Sequence, residues 1–259
     1  MTRLTRFATT DGPRYGIVRE DGIICELVGD DPFADTLEMG AEMGPYETLL
    51  LVPPIRPSKI VCVGRNYAAH AAEHQAEVPE EPMIFLKPPS ALIGYDLPIQ
   101  LPDNVGRVDL EAELAVVIGK VGRNIPKDKA LEYVLGYTCG NDVSARVLQQ
   151  KDKQYGRAKG FDTFCPLGPW IETDIGDPSN LGVMGRLNGK TVIDGNTAQM
   201  VFDVPTLIEF ISGVMTLLPG DVILTGTPEG VSELSVGDVV EIEVEGIGTL
   251  RNSVEGAMP

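Results

Sequence analysis

The 259-residue chain is poor in the residues that most often announce a function. It has two histidines and one tryptophan, and its four cysteines stand far apart. Cys25, Cys62, Cys139 and Cys165 form no C-x-x-C pair, so they are expected to be reduced and mostly packed in the core. Basic residues are in deficit: 21 Lys and Arg against 38 Asp and Glu give a net charge of −17. Such a surface repels phosphate backbones and anionic membranes, which excludes a nucleic-acid or membrane-surface binder. No apolar run approaches the ~20 residues needed to cross a bilayer, and Met1-Thr2-Arg3 leads into no signal-peptide core. A cytoplasmic location is therefore expected. Internal repeats and low-complexity tracts are also missing. The 43% of hydrophobic residues are spread along the whole chain, which excludes disorder and predicts one substantial core.

Glycine (29) and proline (20) are abundant, which predicts many turns and short strands. Residues 1–50 are acidic and rich in turn signals, and Val52-Pro53-Pro54-Ile55-Arg56-Pro57 is a stiff connector. The division expected is a small β-rich N-terminal lobe, residues 1–55, and a main domain, residues 56–259. Runs around residues 59–64, 83–87, 114–119 and 221–225 read as strands. Asn188-Gly189 predicts a type I′ hairpin turn, and residues 239–254 a second hairpin. Helices are predicted over residues 127–135, opened by Pro126, and 206–217, opened by Pro205; the Ala-rich segment 66–77 can form a short one. Strands outnumber helices without alternating with them, so the fold class predicted is mixed and predominantly β, neither a Rossmann fold nor a TIM barrel.

The segment Val108-Asp109-Leu110-Glu111-Ala112-Glu113-Leu114-Ala115-Val116-Val117-Ile118 has strand composition, yet carries carboxylates at period two. Either it is an edge strand wetting an acidic face, or it is central and its buried carboxylates need a counter-charge such as a divalent cation. Asp142, in Gly140-Asn141-Asp142-Val143-Ser144, is either a helix N-cap or a third oxygen ligand of a hard-cation site, one preferring Mg²⁺ or Mn²⁺. His70-Ala71-Ala72-Glu73-His74 matches the H-x-x-E-H pattern of inverted zinc peptidases, and equally a His70–Glu73 dyad in which the carboxylate raises the basicity of the imidazole. Lys87 and Lys159 read as snorkelling strand-end lysines or as contacts for an anion. Leu224-Thr225-Gly226-Thr227-Pro228-Glu229-Gly230 is either a plain turn or a backbone cradle for a carboxylate. Residues 65–82 hold little apolar material and are expected to form a mobile lid that carries His70.

Taken together these segments resemble the fumarylacetoacetate hydrolase family. The resemblance rests on Val63-Gly64-Arg65-Asn66-Tyr67 with His70 and Glu73, Phe85-Leu86-Lys87-Pro88, Glu111-Ala112-Glu113-Leu114, Asn141-Asp142-Val143-Ser144-Ala145-Arg146, Ala158-Lys159-Gly160-Phe161-Asp162 and Leu224–Val231. It implies a β-sandwich roll, usually homodimeric, with Glu111, Glu113 and Asp142 holding Mg²⁺ or Mn²⁺ while Asp109 matches no ligand. It further implies His70, Glu73 and Lys159 as catalytic groups, and Arg65, Lys87, Gln149 and Thr227 as contacts to a 2-oxo acid substrate. The activity implied is hydrolysis or lysis of C–C bonds in 2-oxo or 2,4-dioxo acids through a metal-stabilised enolate, acylpyruvate hydrolysis and oxaloacetate decarboxylation being examples. Isomerisation of 2-hydroxyhepta-2,4-diene-1,7-dioate is the neighbouring alternative. A zinc peptidase and a metal-dependent 2-oxo-acid binding protein without turnover stand as alternatives from other classes.

Overall fold

The computed structural model describes residues 2–73 and 75–257. A 12-stranded sheet dominates it, in the order β4-β3-β2-β1-β14-β12-β11-β17-β6-β7. These are β1 (Arg3–Phe7), β2 (Arg14–Val18), β3 (Ile23–Leu27), β4 (Met39–Pro45), β6 (Ile60–Gly64), β7 (Met83–Lys87), β11 (Ala112–Ile118), β12 (Val134–Asn141), β14 (Cys165–Glu172) and β17 (Val222–Leu224). Two short strands complete it, β5 (Leu51–Val52) on β1 and β8 (Leu92–Ile93) on β14. The N-terminal strands join the rest through β1, whose Arg3 and Leu4 pair with Glu172 and Ile171. A second, five-stranded sheet comprises β9 (Ile99–Leu101), β15 (Gly182–Leu187), β16 (Lys190–Asn196), β19 (Val239–Val244) and β20 (Gly248–Gly256). The third sheet is small: β10 (Val108–Leu110) lies between β13 (Ser144–Ala145) and β18 (Ser232–Glu233). This is the mixed, predominantly β architecture expected.

Strand β11 shows why the core forms where it does. All seven of its residues are buried, and it sits between β12 and β17. Side chains alternate across a strand, so Leu114, Val116 and Ile118 enter one apolar cluster while Ala115 and Val117 enter another on the opposite face. A strand buried on both faces has no wet side to receive a charge. The Glu113 carboxylate must therefore emerge at the strand's end, beside the third sheet, and that end is where the functional groups gather. All four cysteines are free and buried, as expected.

The turn chemistry is as the sequence predicts. Asn188 and Gly189 both have positive φ, 53° and 76°, the type I′ geometry that matches strand twist between β15 and β16. Two predicted helices differ in detail. Residues 127–133 form a 3₁₀ segment rather than an α-helix, and β12 takes up the chain from Val134. Helix α4 (Val204–Val214) starts on an Asp203 cap whose Oδ1 accepts the Thr206 N–H at 2.9 Å. It ends at Val214, and Leu217 pairs instead with Gly122 in an isolated bridge. Helix α1 (Ala68–Glu73) occupies the Ala-rich segment, followed later by α2 (Arg146–Asp152) and α3 (Gly156–Lys159). Among the described residues no helix is long and apolar enough to cross a membrane.

The link between β6 and α1 hangs on one side chain. Buried Asn66 donates from Nδ2 to the carbonyls of Phe202 (3.0 Å) and Thr225 (2.8 Å), and its Oδ1 accepts the Phe202 N–H at 2.8 Å. Alanine there would strand three backbone groups away from water. Asn66→Ala should lower unfolding free energy by about 3 kcal/mol, since each buried unmet polar group costs about 1–3 kcal/mol. A urea-denaturation midpoint unchanged from wild type would show that the loop is not held this way.

Candidate active site

The acidic strand expected over residues 108–118 is in fact two strands, broken at Glu111. Asn141, at the end of β12, causes the break: its Oδ1 accepts the Glu111 N–H at 2.9 Å, while the Asp142 N–H donates to the Glu111 carbonyl at 3.0 Å. With its backbone gripped on both sides, Glu111 is drawn toward Asp142. Glu111, Glu113 and Asp142 then converge, each offering a carboxylate oxygen within 4.8 Å of the others, and all three are buried. Asp109 parts company with them, as the resemblance implied. Its oxygens accept from Arg107 Nε (2.6 Å) and Arg146 Nε (2.7 Å).

Three buried carboxylates at such range repel one another, and the site supplies cations to offset this. Lys159, at the end of α3, donates to Glu111 Oε2 at 2.7 Å and Asp142 Oδ2 at 2.5 Å. Arg146 Nη2 lies 2.7 Å from Glu111 Oε1, an ion pair outside good hydrogen-bond alignment. Burial pushes the Glu111 carboxyl up, but Lys159 and Arg146 outweigh it and hold Glu111 well below the usual carboxylate range. Burial likewise opposes charge on Lys159, yet Asp142 and Glu111 keep it protonated. Glu113 has the opposite balance. Among the described residues its Oε2 accepts only the Gly226 N–H, at 2.7 Å. Burial, then the charges of Asp142 and Glu111, raise it well above its ordinary 4.5.

Gly226 can make this contact because its φ is +98° and a Cβ there would meet the Cβ of Asn66 at 2.9 Å. The turn it begins brings Thr227 to the cavity wall and the Gly230 N–H to Glu73 Oε1, at 3.3 Å. Glu73 Oε2 lies 3.3 Å from His70 Nδ1, so the dyad forms and is tied to the turn. His70 and Ala71 are buried, which seats α1 on the body of the protein. His74 lies outside the described residues.

A cavity of about 600 Å³ opens over these groups. Its lining includes His70, Glu73, Glu111, Glu113, Asp142 and Lys159, together with Arg65, Gln149 and Thr227. Arg65 reaches it from a left-handed backbone conformation (φ 56°), uncommon for a side-chain-bearing residue and here imposed by the anchored Asn66. Lys87 corrects an expectation. It is 1% exposed and absent from the cavity lining, donating beneath the site to Asp142 Oδ1 (2.5 Å) and the Phe164 carbonyl (2.6 Å). So placed it cannot touch substrate; it orients Asp142. Sequence reasoning did not anticipate Asn141, Arg146 or Asp109 as parts of the site.

The donor set fits a hard divalent cation. All three donors are carboxylate oxygens with no sulfur or imidazole among them, which suits Mg²⁺ or Mn²⁺ better than zinc. The buried Tyr67 hydroxyl and Asn141 Nδ2 also have no hydrogen-bond partner among the described residues. Tyr67 is close enough that Glu113, after burial, raises its phenol.

The chain matches the model of the fumarylacetoacetate hydrolase C-terminal domain over residues 59–255. A crystal structure of 5-carboxymethyl-2-hydroxymuconate delta-isomerase from Mycobacterium smegmatis superposes with a TM-score of 0.90. It is 48% identical, over 98% of this chain and 100% of that one. The mitochondrial oxaloacetate tautomerase fahd2 of Xenopus laevis is 42% identical over 97% of this chain and 90% of its own. A maleylpyruvate hydrolase from Sphingobium, crystallised with manganese(II) and pyruvate, gives a TM-score of 0.82. That protein is 33% identical over 99% of this chain and 100% of its own. This protein therefore belongs to the fumarylacetoacetate hydrolase family of enzymes, whose members include hydrolases, isomerases and tautomerases.

Glu113 offers a direct check on the acidic cluster. A carboxyl whose pKa is raised by folding costs stability as pH climbs above its unfolded value, and a neutral amide removes that cost. Glu113→Gln should raise the melting temperature of metal-free protein at pH 7.5 and abolish the upward shift that Mg²⁺ or Mn²⁺ produces in wild type. A variant that melts lower without metal, or is still stabilised by it, would contradict the assignment.

Proposed function

We propose that the protein is a divalent-metal-dependent enzyme acting on 2-oxo or 2,4-dioxo acids, cleaving the C3–C4 bond, one carbon removed from the 2-oxo group, by hydrolysis or decarboxylation. One observation carries the reading: the buried Glu111, Glu113 and Asp142 open into the same cavity as the His70–Glu73 dyad and Lys159. The three carboxylates would hold Mg²⁺ or Mn²⁺, which when bound supplies a Lewis acid that stabilises negative charge developing on the 2-oxo group. The chain's own residues do the rest. Glu73 orients the His70 ring through Nδ1, and the imidazole would take a proton from water or return one to the carbon next to the oxo group. Lys159, kept protonated by Glu111 and Asp142, presents a positive charge at the floor. Arg65, Gln149 and Thr227 line the wall where the substrate carboxylate would lie.

A second reading, isomerisation or tautomerisation, uses the same proton transfer without water. The isomerase and the oxaloacetate tautomerase among the relatives favour it. The two separate by which product appears when protein with Mg²⁺ or Mn²⁺ is given acylpyruvates, oxaloacetate and 2-hydroxyhepta-2,4-diene-1,7-dioate. The H-x-x-E-H zinc-peptidase reading turns on His74, which lies outside the described residues, whereas the grouped carboxylates Glu111, Glu113 and Asp142 support a hard-cation site. We also take the enzyme to be a cytoplasmic homodimer. Met39 (55% exposed) and Met43 (41%) on edge strand β4 are apolar surface available for such an interface.

His70→Ala should cut turnover by about 10²–10⁴-fold, the scale of general acid–base catalysis, with Mn²⁺ affinity by calorimetry within about twofold of wild type. Retained turnover would remove His70 from the chemistry, and lost Mn²⁺ binding would make it a ligand.

A further inference from the structure

Asp109 is fully buried and has no part in the mechanism above, yet it links the cavity floor to its mouth. Starting from Glu111 (side chain 5% exposed), charges alternate outward: Arg146 at 2.7 Å, Asp109 at 2.7 Å from Arg146, then Arg107 at 2.6 Å from Asp109. Arg146 is well occupied, with Nε on Asp109, Nη1 on the Gln149 oxygen at 3.0 Å, and Nη2 on Glu111. Arg107 is not. Only its Nε is bonded, its side chain is 50% exposed, and it lines the cavity. Its two terminal amino groups make no bond among the described residues. Glu233 stands across from Asp109 on β18, near enough for its charge to act on Arg107, but makes no bond to that fork. The alternation therefore reaches, at the cavity, a guanidinium whose two amino groups are open to an anion entering from there.

We infer that Arg107, positioned by Asp109, determines specificity by pairing with a second carboxylate of the substrate, the one remote from the 2-oxo group. This rests on the 2-oxo acid reading and narrows it to diacids. A planar guanidinium with both amino groups open matches a carboxylate in two parallel bonds. Two guanidinium groups on one wall would repel, and Asp109 between them, one oxygen to each, is what allows both to stand there.

The test uses two stable five-carbon ligands, 2-oxoglutarate and 2-oxopentanoate, which differ in a carboxylate against a methyl group at C5. Their dissociation constants are measured by calorimetry on Mn²⁺-loaded protein. Wild type should favour 2-oxoglutarate. Arg107→Gln should weaken it by about 10–100-fold, the worth of a hydrogen-bonded charge pair, and leave 2-oxopentanoate within about twofold. Asp109→Asn should lose the same preference, and the double variant should be no worse than either single one. Arg107 is half exposed, so its variant carries the test even where Asp109→Asn fails to fold. Equal loss of both ligands in Arg107→Gln, or no preference in wild type, would overturn the assignment alone. Wild type binding neither ligand would overturn the 2-oxo acid reading together with it.

Discussion

The structure around the site is organised by the mutual repulsion of three buried carboxylates. Placing Glu111, Glu113 and Asp142 within 4.8 Å of one another in an apolar surround is unfavourable unless cations answer them. Each protein cation nearby has that task. Lys159 bridges two of the three, Lys87 holds Asp142 from below, and Arg146 flanks Glu111. Among the described residues Glu113 accepts a backbone N–H and has no ion pair, so its charge is the least compensated of the three. A cluster with one carboxylate so placed, and with hard oxygen donors throughout, is suited to a hard cation from solution.

The same constraint explains the local backbone. A continuous strand over residues 108–118 would place Asp109, Glu111 and Glu113 in one row on one face. The break at Glu111, held by Asn141, instead sends Glu111 and Glu113 to the cluster and Asp109 to two arginines. Three acidic residues two apart in sequence thus take two different roles. The third sheet, β13-β10-β18, carries this detour while the large sheet continues undisturbed through β11.

Much of this was legible in the sequence, for identifiable reasons. The apolar run Leu114–Ile118 announced a strand, Asn188-Gly189 the turn between β15 and β16, and the family resemblance, not the local pattern, singled out Glu111, Glu113 and Asp142 as one set. What local pattern could not show was direction. Lys87 sits in a strand whose sequence looks the same whether its amine reaches the cavity or, as it does, the underside of Asp142. The 3₁₀ segment over residues 127–133 was hidden because its length depends on where β12 begins, which pairing with β11 decides. Asp109 and Arg146 carried no separate signal, since their roles arise from a contact across 37 residues.

That last point has a kinetic side. The bond from the Gly226 N–H to Glu113 spans 113 residues of chain, and Lys159 reaches Glu111 across 48. β11 is paired on one side with β12 and on the other with β17, near the far end of the sequence. Contacts of such separation form late, after the entropy of closing long loops has been met. The carboxylate cluster therefore comes into being only with the finished sheet, and a partly folded chain offers a cation no assembled place to bind. A cation held by the cluster would then act on the native state alone, slowing unfolding far more than it hastens folding.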